Sequence, residues 1–182
     1  PTPRVAPDDE QGGCRAAEHL LRRGHQRIAW LSFSEPDDRA AADRCAGFSE
    51  AMEAAGRPAV CLHRVSDEPW TVAERTGLAR QLLVDADRPT AVIADGVSAF
   101  CPLLSQSMCK SLRVPDDVSL LLVDDRRPVE MGIDIEMLRV PWRQVGQRAV
   151  QRLLAEGGPG DSVTLVDYAS PEPGATVGDG PR

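Results

Sequence analysis

Helical and extended patterns take turns along almost the whole chain, and that alternation most limits what it can fold into. Apolar residues recur at threes and fours over 13–23 (Ala16, Ala17, Leu20, Leu21) and 39–55 (Ala42, Cys45, Ala46, Phe48, Met52), and helical pattern returns over 71–83, 97–112 and 145–154. Between these five predicted helices stand short extended runs over 28–33, 60–65, 90–94, 118–123, 135–140 and 163–166. Gly24 and Gly56 stop the first two helices and Gly157-Gly158 the last. Pro102 must lie in the first turns of its helix or kink it. Strand–helix alternation calls for a parallel sheet with helices on both faces. Val118-Ser119-Leu120-Leu121-Leu122-Val123 is apolar on both sides and fits the middle of such a sheet. The class is therefore α/β. The stretch from Ser170 to Arg182, rich in Pro and Gly, reads as a loose tail.

Size and charge narrow what such a sheet can do. At 182 residues the chain suffices for one domain, or for one lobe plus part of a second. With 21 Lys and Arg against 28 Asp and Glu, the net charge of −7 argues against gripping a phosphate backbone unaided. The basic residues stand in scattered pairs such as Arg22-Arg23 and Arg126-Arg127, not in a stripe. Cys14, Cys45, Cys61, Cys101 and Cys109 are odd in number and lack Cys-x-x-Cys spacing, so reduced thiols in a cytoplasmic protein are the simplest reading. His19, His25 and His63 do not pair with them at zinc-ligand spacings, and no metal or cofactor is expected. No apolar run approaches a membrane span, and no signal peptide is visible. Because Pro1 is not preceded by Met, the chain reads as starting partway through a longer protein.

Ligands of an open parallel sheet bind beyond the carboxyl ends of its strands. That rule singles out Ser32 to Ser34, Asp95, Asp124 and Asp125. An aspartate there has two readings: it accepts hydrogen bonds from ligand hydroxyls, or it caps a neighbouring helix. Cys61 and His63 share a sheet face, which reads as packing, and His25 reads as a structural cap. Dinucleotide, Walker and Gly-x-Ser-x-Gly motifs are all absent, so no catalytic residue is assigned.

Five blocks then carry a resemblance. They are 9–13 with 17–29 (Ala17-Glu18-His19-Leu20-Leu21-Arg22-Arg23-Gly24-His25), Arg44-Cys45-Ala46-Gly47-Phe48, and Arg88-Pro89-Thr90-Ala91-Val92. Val114-Pro115-Asp116-Asp117-Val118-Ser119 running to Val123-Asp124-Asp125, and Gly146-Gln147-Arg148-Ala149-Val150 with Leu153-Leu154, complete the set. In this order they resemble the lactose/galactose repressor family and its periplasmic-binding-protein-like (type I) effector domain.

The resemblance implies a two-lobed domain closing on a small sugar or nucleoside-like effector, here with the second lobe nearly complete and the first incomplete. Residues 1–24 would be a first-lobe remnant and crossover helix, 25–140 the second lobe, 141–158 a return helix of the first lobe, and 159–182 a final strand and flexible tail. Its effector contacts would fall on Arg44, Trp70, Asp95, Asp124 and Trp142. Asp95-Gly96 stands where the family usually has Asn-Asp, which changes the ligands expected. Operator DNA would be reached only through an absent helix-turn-helix head, with the protein a cytoplasmic homodimer. The apolar face Val145, Ala149, Val150 and Leu153 would invite self-association. A solute-binding receptor of a transport system is the other reading that shares this fold.

Overall fold

A computed structural model describes residues 4–84, 87–128, 132–155 and 163–181. The elements run β1 (Arg4–Pro7), α1 (Asp9–Arg22), β2 (Ile28–Ser34), α2 (Arg39–Ala54), β3 (Val60–Val65), α3 (Val72–Val84), β4 (Ala91–Asp95), α4 (Val97–Cys109), β5 (Ser119–Asp124), β6 (Met137–Arg139), α5 (Trp142–Leu154) and β7 (Val163–Val166). Every predicted element is present. β1, at four residues too short to show a period, is the addition, and the Gly157-Gly158 stop lies outside the described residues. Among the described residues no helix is long and apolar enough to cross a membrane.

Five strands form a parallel sheet in the order β3-β2-β4-β5-β6. Alternation along each strand feeds two dry layers. Ile28, Trp30, Ile93, Leu121 and Val123 face α1 and α2, with Phe48 and Met52 above them. Ala29, Leu31, Val92, Leu120 and Leu122 face α3 and α4, against Leu83, Phe100 and Leu103. β5 is thus buried on both sides, as its sequence predicts. Pro102 falls in the second turn of α4, beyond the first-turn position where its missing N–H would cost least. α1 and α2 meet backbone to backbone: a Cβ on Gly13 would lie 1.8 Å from the Arg44 carbonyl oxygen, and one on Gly47 equally close to that of Glu10.

β1 and β7 form a separate two-stranded parallel sheet on which α5 packs. Of the apolar face expected to be open, Val145 is buried and Ala149 half-buried, while Val150 and Leu153 are exposed.

Two expectations are corrected. The segment after Ser170 is not a loose tail but a strap laid along the five-stranded sheet. Glu172 bridges Met137 in both directions, Leu120 N–H donates to the Thr176 carbonyl, and Gly180 N–H donates to the Arg23 carbonyl. Thr176 and Val177 are buried, as is Tyr168 just before the strap. Its glycines serve close approach rather than freedom: a Cβ on Gly174 would meet the Glu136 nitrogen, and one on Gly180 the Gly24 carbonyl carbon. Pro- and Gly-rich composition hides this, because a segment with irregular backbone has no period to read. The second correction is that Cys45 and Cys61 form a disulfide, because α2 crosses the face of β3 and brings their Cα atoms to 6.7 Å. Cys14, Cys101 and Cys109 are free thiols.

Candidate functional site

The strand order reverses between β2 and β4, since the chain leaves β2 for β3 on one side and returns to β4 on the other. Such a reversal leaves a crevice at the carboxyl ends of the two strands, because the connections on either side diverge. Three residues stand level there: Ser32 is in register with both His63 and Asp95. Ser32 Oγ lies 2.7 Å from His63 Nδ1, and Ser34 Oγ 3.4 Å from Nε2. The shared face of Cys61 and His63 was legible, but its use differs: Cys61 packs and pairs, while His63 joins a polar row.

Over this row α2 places Arg44. Its Nη1 donates to Asp9 Oδ1 at 2.7 Å, and its Nε to Asp95 at 3.3 Å. The Tyr168 hydroxyl donates to the same Asp9 oxygen at 2.7 Å. Burial would push the Arg44 guanidinium down, but Asp95, Tyr168 and Asp9 outweigh it and hold the charge firmly. Asp95 is almost wholly enclosed, and burial pushes its carboxyl up to about 6 although Arg44 pulls the other way. The Tyr168 hydroxyl is raised as well, first by burial. The group therefore joins α1, α2, β4 and the segment after β7 through a single guanidinium.

Asp124 ends β5 on the opposite face. Its Oδ2 accepts from Val97 N–H at 3.0 Å and its Oδ1 from Asp125 N–H at 2.7 Å, so it caps α4 from a neighbouring strand. Gly96 makes the turn from β4 into α4 with a φ of +87°, a conformation that suits glycine. Trp142 opens α5 and is 53% exposed, two residues beyond Val140, whose N–H bonds the Asp124 carbonyl.

Trp70 lies elsewhere on the same rim. It packs against Phe33 with ring centroids 5.4 Å apart, and both line a cleft of about 520 Å³ at the ends of β2 and β3. Ser34, Ser66 and Arg75 complete its floor, and the Arg75 guanidinium lies 5.7 Å from the Phe33 ring centroid. Asp38, at its edge, caps α2 through Ala41 N–H, and its charge also raises Asp95.

Of the five residues expected to form the site, Arg44 and Asp95 are joined directly, Asp124 stands across the sheet from them, Trp70 lines the cleft, and Trp142 stays outside it. Asp9 and Tyr168 were not foreseen as site residues. Asp9 sits in the block that signals α1, but nothing local marks Tyr168, which arrives from far along the chain. Among the described residues no three His, Cys, Asp or Glu side chains gather as metal ligands.

Comparison with known proteins gives one consistent answer. The periplasmic binding protein-like domain family matches residues 17–171. The arabinose metabolism transcriptional repressor of Geobacillus stearothermophilus is 32% identical over 158 residues, covering 84% of this chain and 42% of that protein. The HTH-type transcriptional repressor PurR of Photobacterium profundum is 28% identical over 155 residues, with 84% and 46% covered. A LacI transcriptional regulator from Rhodococcus superposes with a TM-score of 0.77 at 26% identity, covering 98% of this chain and 70% of that one. The chain thus spans less than half the length of these curated relatives.

Proposed function

The chain belongs to the periplasmic binding protein-like domain family of LacI-type transcriptional regulators, and from that premise we propose that it senses a small effector of the sugar or nucleoside kind. The observation that carries this reading is the placement of Arg44 and Asp95, a fixed donor and acceptor, at the reversal of strand order beside an aromatic-floored cleft. Trp70 would offer a flat apolar face to a sugar ring, and Asp124 would take hydroxyl hydrogens at the far side of the crevice. Trp142, at the crossover into α5, would feel the ligand through the segment that joins the two sheets. Effector binding would shift how the five-stranded lobe and the β1–β7–α5 unit sit, and so bias a DNA-binding head elsewhere in a longer, homodimeric cytoplasmic protein. The solute-receptor alternative shares the fold, but the relatives matched are named as regulators.

Calorimetric titration with sugars and nucleosides tests this. Asp124→Ala should weaken the effector by roughly ten- to a hundredfold, the equivalent of about 1.5–3 kcal/mol in charge-assisted hydrogen bonds. The same change removes a helix cap, at a cost of about 1 kcal/mol in stability. A variant that loses the stability but keeps the affinity would reduce Asp124 to a cap. Absence of saturable binding by any sugar or nucleoside would overturn the reading.

A further inference from the structure

Two strands cross from the small sheet into the lobe side by side, and the charged group sits where they land. Pro7 and Val166 are in register at the ends of β1 and β7, and Asp8 N–H donates to the Val166 carbonyl at 2.9 Å. A single residue, Asp8 on one crossing and Asp167 on the other, separates each strand end from Asp9 and Tyr168. Tyr168 N–H donates to Gln11 Oε1 at 2.8 Å, so the second crossing is also tied to the start of α1.

Both side chains then meet on one atom. Asp9 Oδ1 accepts from Arg44 Nη1 and from the Tyr168 hydroxyl, each at 2.7 Å. The Arg44 and Asp9 side chains are each only 12% exposed, where salt screens an ion pair little. A linking residue spans at most about 3.6 Å, so a strand end cannot shift far while its landing residue stays put. Because α5 packs on β1, the small unit follows its strands. The remaining crossing, through Val140 and Trp142, is held instead by the Val140 N–H bond to the Asp124 carbonyl.

We infer that Asp9 and Tyr168 are the positioning residues of a hinge latch, through which Arg44 sets the seat of the β1–β7–α5 unit on the lobe. The guanidinium is a rigid planar fork whose Nε is engaged by Asp95 on β4. Turning it towards a new acceptor draws Nη1 away from Asp9, and the Tyr168 hydroxyl then loses the fixed carboxylate to which it donates. For its use the latch rests on the effector-sensing reading: an effector oxygen that takes a hydrogen bond from Arg44 competes with Asp9 and loosens both crossings at once. Two strands are thus released by one competition, because they share one oxygen.

Fluorine NMR of this chain, with its three tryptophans labelled as fluorotryptophan, tests the latch without any ligand. Trp142 reports the small unit, Trp30 the lobe core and Trp70 the cleft. Asp9→Asn keeps the side chain's shape and removes its charge. Tyr168→Phe removes the hydroxyl and keeps the ring, which packs against Gly12. Each should shift or split the Trp142 signal and leave those of Trp30 and Trp70 in place. The double variant should move Trp142 no further than the stronger single one, since both act through one oxygen. An unmoved Trp142 signal overturns the latch, and so does a double variant whose shifts add. A change in all three signals alike overturns it too, by making the pair ordinary lobe packing. No sugar or nucleoside enters this experiment, so the latch and effector sensing stand or fall separately.

Discussion

The five-stranded lobe and the β1–β7–α5 unit are built from the same ingredients to different degrees of closure. In the lobe, helices cover both faces of the sheet, and Trp30, Phe48, Ile93, Phe100, Leu120 and Leu121 lose all contact with solvent. The smaller unit has two strands and α5. Leu153 is 84% exposed and Leu154 79%, with Val150, Val163 and Leu165 about half exposed. A sheet needs cover on both faces before its apolar side chains stabilise it, and two strands with one helix cannot supply that. Stability should therefore reside in the lobe, while the smaller unit should contribute stickiness.

The sharpest way to break that contrast is to remove a side chain from each region. Trp30→Ala should cost roughly 3–5 kcal/mol in urea unfolding, since the indole fills the layer beneath α1 and α2. A loss below 1 kcal/mol would place the stabilising core elsewhere. An intermediate effect belongs to Asp95. Its carboxyl is raised to about 6 from 3.8, so the folded state holds the proton more tightly than the unfolded one. Stability from this group is fully present below pH 3.8 and is lost as pH rises through 6. Asp95→Asn removes the titration, so its stability relative to the unchanged chain should improve by about 2 kcal/mol between pH 4 and pH 7. A difference that stays flat with pH would show Arg44 compensating Asp95 in full. The smallest effect is expected at Leu153→Ser, within about 0.5 kcal/mol in unfolding. That variant should nonetheless lower self-association in sedimentation, and unchanged association would mean the exposed face is inert.

How much of this was legible depended on distance along the chain. Strands and helices with a clear period, such as β5 and α2, stand within a residue or two of where their apolar spacing puts them. Asp95 and Asp124 were marked by following a strand, and Arg44 by the motif around it. The choice between ligand contact and cap was not readable, because it turns on where Val97 N–H lies in space. Asp9 and Tyr168 became partners of Arg44 only through a crossover and the return from β7. The strap was misread since Pro and Gly give the same composition to a disordered tail and to an irregular segment whose hydrogen bonds lie far away. The Cys45–Cys61 pair likewise needed the crossing of α2 over β3 to become visible.

The glycine contact between α1 and α2 works as a gauge. Gly13 touches the backbone at Arg44, and Gly47 touches the backbone at Glu10, so each helix measures its neighbour beside a member of the charged group. A methyl added at either position forces the axes apart by an amount comparable to the reach of one hydrogen bond. The two positions are therefore tied to the electrostatics of a crevice they never touch. Drift at either glycine would therefore strike the Asp9–Arg44 contact and the apolar layer under α1 and α2 together, so charge placement and core packing cannot change independently here.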